Sequence, residues 1–137
     1  MRILWDLDSE LPSLIGCAVD FNQVFGNLLR NAAEAMLEMK EMEIRIRTQH
    51  VPPHVIRIVI EDRGPGVPQH LRERIFQPFF STKTASTANS HGMGMGIGLH
   101  HCRELLLRYR GTLVCEGAPE GGARFVIDLP LSKHCHA

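Results

Sequence analysis

The sequence predicts an α+β fold: a two-layer α/β sandwich with a mixed, mostly antiparallel sheet and its helices on one face. Three observations carry this. The elements run strand, helix, two strands, loop, helix, two strands. Both strand pairs have hairpin spacing, which favours antiparallel pairing. The two helical stretches are each apolar along one stripe, so they cover a single sheet face.

The elements follow in order. Ile3, Trp5 and Leu7 alternate with Leu4, Asp6 and Asp8, predicting a short opening strand. Pro12 and Gly16 interrupt it. A long helix is expected from Asp20, with Asp20 and Gln23 as a capping box. Phe21, Val24, Phe25, Leu28, Leu29, Ala32, Ala35 and Met36 recur at helical spacing and are expected in the core. Ile44 and Ile46 alternate with arginines, and Ile56, Ile58 and Ile60 alternate with Val55, Arg57 and Val59, so two strands flank the turn at Pro52-Pro53. A short helix is expected near Gln69 to Ile75. Residues 81–91, STKTASTANSH, are small and polar and read as a mobile loop. Glycines at 92, 94, 96 and 98 then lead into a helix with Leu99, Cys102, Leu105, Leu106 and Tyr109 at core spacing. Strands near 112–116 and 123–129, joined through Glu120-Gly121-Gly122, close the chain.

Composition narrows the function. The 137 residues suit one domain, expected over 1–131 with a short tail at 132–137. Fifteen basic residues balance fifteen acidic ones, which disfavours nonspecific nucleic-acid binding because phosphate neutralisation supplies that affinity. No apolar run approaches the roughly 20 residues of a membrane helix, and the N-terminus lacks a secretory pattern, so a cytoplasmic location is expected. Cys17, Cys102, Cys115 and Cys135 form no C-x-x-C pair and read as free thiols.

Three features carry chemistry. Gln23, Asn27, Asn31 and Glu34 share one helix face, and two asparagines four apart present amide oxygens to one point. Such oxygens suit Mg²⁺, which keeps few protein ligands; a solvated helix face has the same spacing. Asp62-Arg63-Gly64-Pro65-Gly66 follows a strand, where the carboxylate accepts from an exocyclic amine and the glycines admit a flat ring. A plain turn has the same composition. The alternating glycines before a helix suit a phosphate cradle, although glycine-rich segments also serve as linkers. Neither a Walker A loop nor a Rossmann fingerprint is present.

Together these residues resemble the catalytic and ATP-binding domain of sensor histidine kinases. Asn27-Leu28-Leu29-Arg30-Asn31-Ala32-Ala33-Glu34-Ala35 is similar to the asparagine box. Asp62-Arg63-Gly64-Pro65-Gly66-Val67-Pro68 is similar to the first glycine box, and Ile75-Phe76-Gln77-Pro78-Phe79-Phe80-Ser81-Thr82-Lys83 to the phenylalanine box. Gly94-Met95-Gly96-Ile97-Gly98-Leu99 resembles the second glycine box, and Gly121 to Pro130 the last strand. The resemblance spans roughly residues 3–131, and the boxes are closest in style to the nitrogen-regulation class.

The resemblance implies the Bergerat ATP-binding fold shared by gyrase, the heat-shock chaperones, histidine kinases and MutL. It implies ATP and Mg²⁺ as ligands, Asn31 on the metal, and Asn27 supporting metal and phosphates. Asp62 would read the adenine amine, with Gly64, Gly66 and Val67 shaping the pocket. Gly94, Gly96 and Gly98 would hold phosphates and hinge a lid, and Leu99 would be among the cofactor-binding residues. Phe76, Phe80, Thr82 and Lys83 come from the phenylalanine box, with Lys83 approaching the terminal phosphate.

Hydrolysing members of the superfamily place a glutamate four residues before the metal asparagine. Asn27 stands there and takes no proton, which favours transfer to an imidazole over rapid hydrolysis. None of the eight histidines sits in the acceptor context of a complete kinase. The implied partners are therefore a dimerisation domain carrying the acceptor histidine and a downstream response regulator, with this domain itself a monomer. Two other functions fit less well. An anti-sigma-factor serine kinase usually has a glutamate-rich asparagine box, and a non-catalytic nucleotide-binding module would have a broken site.

Overall fold

The computed structural model describes residues 2–8, 18–37, 39, 42–78, 93–118 and 121–131. Five strands form one sheet: β1 (Arg2–Asp6), β2 (Glu43–Val51), β3 (Val55–Asp62), β4 (Thr112–Gly117) and β5 (Ala123–Pro130), in the order β1-β2-β3-β5-β4. Among the described strands only β1 pairs parallel, with β2; the other three pairings are antiparallel. Among the described residues two α-helices, α1 (Ala18–Ala35) and α2 (Met93–Leu107), pack against the sheet and against each other. The mixed, mostly antiparallel sheet with covering helices is as expected.

Strand alternation sorts the two faces. Ile46, Ile60 and Phe125 lie in one register row, and Ile58, Ile127 and Leu113 in the next. These rows meet Val24, Leu28 and Ala32 of α1, Met36 just past its end, and Leu99, Cys102, Leu105 and Leu106 of α2 in a single core. The i, i+4 spacing on α1 makes that stripe continuous. On the opposite face a row of valines, Val59, Val126 and Val114, lies between charged pairs: Arg57 grips Asp128 with two bonds of 2.8 and 3.0 Å, and Arg124 lies 3.2 Å from Glu61.

Some details depart from the sequence reading. Helix α1 begins at Ala18, so Asp20 lies inside its first turn rather than capping it. The Asp20 carboxylate instead accepts the Tyr109 hydroxyl at 2.7 Å, a long-range bond that ties the end of α2 to the start of α1. Ala35 is exposed, because the helix ends there beside a cavity. The expected short helix near Gln69 is two 3₁₀ turns, Gln69–Leu71 and Arg74–Phe76. Trp5 and Ile3 stay exposed because β1 is an edge strand.

Candidate functional site

The two helices run antiparallel. Contacts step back along α2 as they step forward along α1: Tyr109 meets Asp20, then Cys102 meets Asn27. A Cβ added at Gly98 would lie 3.5 Å from the Asn27 amide carbon. The start of α2 is thus brought beside the polar face of α1.

Beyond this point lies a cavity of about 790 Å³. Asn31 reaches it from α1, Leu99 from α2, and Asp62 from the end of β3. Gly66, Val67 and Pro68 form the wall that follows β3, and Gly121, Gly122 and Phe125 the wall from the last hairpin. The site is mainly apolar, with few convergent polar groups, as ligand sites generally are.

Asp62 is its buried carboxylate, 5% exposed. One oxygen, Oδ1, accepts the N–H of Gly64 at 2.8 Å and that of Ala123 at 3.2 Å. Neither bond uses Oδ2. Burial pushes this carboxyl above its usual range, and the two N–H donors pull it part of the way back. Two glycines make the arrangement possible. Gly66 holds φ +80, and a Cβ there would sit 3.0 Å from the Gly121 carbonyl. A Cβ at Gly122 would fall 1.8 Å from the Asp62 carbonyl oxygen, so only glycine lets the hairpin reach Asp62.

Residues 16–133 match the family described as histidine kinase-, DNA gyrase B- and HSP90-like ATPase. The chain belongs to this family.

Its relatives include the sensor protein TdiS of Thauera aromatica, 34% identical over 124 residues, which cover 88% of this chain and 21% of that protein. The sensory histidine kinase/phosphatase NtrB of Salmonella typhimurium is 32% identical over 141 residues, covering 97% and 38%. Among solved structures, the catalytic domain of the histidine kinase ThkA superposes with a TM-score of 0.77 at 27% identity, covering 94% of this chain and 78% of that one. The chain spans a fifth of TdiS and under two fifths of NtrB.

Within this ATPase family fold, the residues singled out in the sequence fall into four groups. Asn31, Asp62, Gly66, Val67 and Leu99 line the cavity together. Asn27 and Gly98 sit beside one another at the α1–α2 contact, and Gly64 lies under Asp62. Phe76 is buried in the core, edge-on to Phe125 at 6.3 Å and beneath the Arg103 guanidinium at 3.8 Å. It supports the wall of the cavity rather than lining it. Phe80, Thr82 and Lys83 lie outside the described residues, as do the loop at 81–91 and the tail at 132–137.

One expectation needs correcting. Gly94, Gly96 and Gly98 are not a loop before the helix; they lie within the first turns of α2. The cavity lining takes Leu99 from this stretch and not Gly98.

The sequence reading missed the contribution of the last hairpin. Gly122 and Ala123 complete the setting of Asp62, yet the Gly-Gly pair reads only as a turn. Arg72 also went unnoticed. It lines the cavity and donates from Nε to the Val67 carbonyl at 3.0 Å.

Proposed function

We propose that this chain binds ATP with Mg²⁺ and transfers the γ-phosphoryl group to a histidine on a separate dimerisation domain, as part of a two-component sensor kinase. The observation that carries this reading is the Asp62 carboxylate at an apolar cavity wall, with Oδ1 tied to Gly64 and Ala123 and Oδ2 left for a ligand donor. An adenine amine is the complementary donor, and Val67 and Leu99 offer apolar contact to the flat ring.

The residues present fit Mg²⁺. Among the described residues no three His, Cys, Asp or Glu side chains cluster as a metal cage. The neutral amide of Asn31 supplies one hard oxygen, which suits a cation that draws its remaining ligands from phosphates and water. When bound, Mg²⁺ would neutralise phosphate charge. Asn27, one turn earlier, supports the same ligands, and the first turns of α2, holding Gly94, Gly96 and Gly98, direct N–H groups at the phosphates. Lys83, Thr82 and Phe80 belong to the lid in this reading, on sequence alone.

Asn27 also bears on reaction type. An amide takes no proton from water, so the chain positions ATP for a better nucleophile instead of hydrolysing it. The acceptor domain and a response regulator are the partners this requires. ThkA supplies a parallel, since it has been solved in complex with the response regulator protein TrrA.

Titration of the purified chain with ATP and GTP in the presence of Mg²⁺, together with a steady-state hydrolysis assay, tests the reading. Saturable ATP binding, weaker GTP binding and negligible hydrolysis support it. Rapid hydrolysis, or no ATP binding at millimolar concentration, refutes it.

A further inference from the structure

The polar face of α1 does not end in solvent at Asn27. Its Nδ2 donates to the Cys102 sulfur at 3.6 Å, and that sulfur donates to the Val24 carbonyl at 3.8 Å. Cys102 is fully buried. With its one S–H directed at Val24, the sulfur meets Asn27 as an acceptor, so the NH₂ end of the amide is the end that faces it. The amide also lies against Gly98, one turn nearer the start of α2. Gly98 and Cys102 thus form a groove on α2 that seats the Asn27 amide.

We propose that Cys102 is a positioning residue for nucleotide binding: its sulfur holds the Asn27 amide by Nδ2 and so keeps Oδ1 turned to the phosphate side. This rests on the reading of Asn27 as a support for Mg²⁺ and phosphates. A free amide flips between two orientations of similar shape, one presenting NH₂ and the other oxygen to a ligand. Only the oxygen suits a cation. Removing the acceptor at position 102 permits both orientations and weakens Mg²⁺-dependent binding, while the base cavity, one turn further along α1, is untouched.

The test compares dissociation constants of wild type, Cys102→Val, Cys102→Ser and Asn27→Ala for adenosine, for ATP without metal and for ATP with Mg²⁺. Cys102→Val, similar in volume but without an acceptor, is expected to weaken Mg²⁺-ATP by about twofold, because an amide free to take either orientation presents its oxygen about half of the time. Adenosine should bind as in wild type. Cys102→Ser keeps an acceptor and should bind Mg²⁺-ATP as wild type does. If Cys102→Val folds poorly, Cys102→Ala, which also lacks an acceptor, takes its place.

Full Mg²⁺-ATP affinity in Cys102→Val beside a weakened Asn27→Ala would overturn the role of the sulfur alone. Equal losses in the Val and Ser variants would overturn it too, by showing that side-chain fit and not the acceptor matters. Full Mg²⁺-ATP affinity in Asn27→Ala would remove Asn27 from the phosphate site, and the proposal with it.

Discussion

Asp62 and Ala123 are 61 positions apart in the chain, yet the Ala123 N–H donates to Asp62 Oδ1 at 3.2 Å. The bond joins the end of β3 to the start of β5 and leaves the second carboxylate oxygen for the cavity. Asp62→Asn preserves an acceptor for Gly64 and Ala123 but places an NH₂ group where Oδ2 was. ATP affinity should fall by about 1.5–3 kcal/mol, as for a hydrogen bond to a charged group. GTP should lose less, because guanine carries a carbonyl where adenine carries an amine. Calorimetric titration with both nucleotides checks this, and equal losses count against adenine recognition by Asp62.

The same carboxyl predicts a pH dependence of stability. Burial raises it above its ordinary 3.8, so the folded state holds this proton more tightly than the unfolded chain. The contribution of Asp62 is therefore most favourable at acid pH and is lost as pH rises from 3.8 through the raised folded value. Urea unfolding of wild type and Asp62→Asn across this range should show wild type losing ground to the variant as pH increases. A gain would reverse the assignment.

Gly121 and Gly122 should respond differently to alanine. A Cβ at Gly122 meets the Asp62 backbone, which cannot move without breaking the β3–β5 pairing. Gly121 has φ +107 but open space around it, so its cost is backbone strain of about 1–3 kcal/mol. Thermal unfolding should place Gly122→Ala well below Gly121→Ala, with loss of ATP binding in Gly122→Ala. Similar melting temperatures would contradict the close approach.

Arg103 holds three elements at once. It forks onto Glu73 at 2.6 and 3.2 Å, donates to the Leu113 carbonyl at 3.0 Å and covers the Phe76 ring. The Glu73 carboxyl, held below its usual range by this bond, is largely exposed, so the ion pair itself adds little. Arg103→Lys keeps the charge but loses the fork and the stacking, and should cost about 2 kcal/mol. Glu73→Gln should cost under about 1 kcal/mol. Chemical denaturation of both variants is the measurement, and a larger loss in Glu73→Gln would refute the ranking.

The local patterns in the sequence were legible because they are periodic. Val24 and Leu28 declare the buried stripe of α1, and the isoleucines of β2 and β3 declare the hairpin. Asn31 and Asp62 were legible as polar residues at defined points on those elements. What escaped reading depends on distant partners. Asp20 fits a cap by local chemistry, but the Tyr109 hydroxyl, 89 positions away, takes its carboxylate. Gly94 and Gly96 suggest a loop by propensity, yet they fall within α2, whose later turns pack on α1. Gly122 and Cys102 show their use only when the second element, β3 or α1, is in place.

The central claim is that Asn31 supports Mg²⁺ at a nucleotide site. Thermal unfolding of wild type and Asn31→Ala, each with Mg²⁺-ATP and with ATP alone, tests it most directly. A ligand at 100 times its Kd adds about 2.7 kcal/mol of stability, enough to see as a shift in Tm. Wild type should show a larger shift with Mg²⁺ than without, and Asn31→Ala should lose that increment while retaining the metal-free shift. An undiminished Mg²⁺ increment in Asn31→Ala would contradict the account.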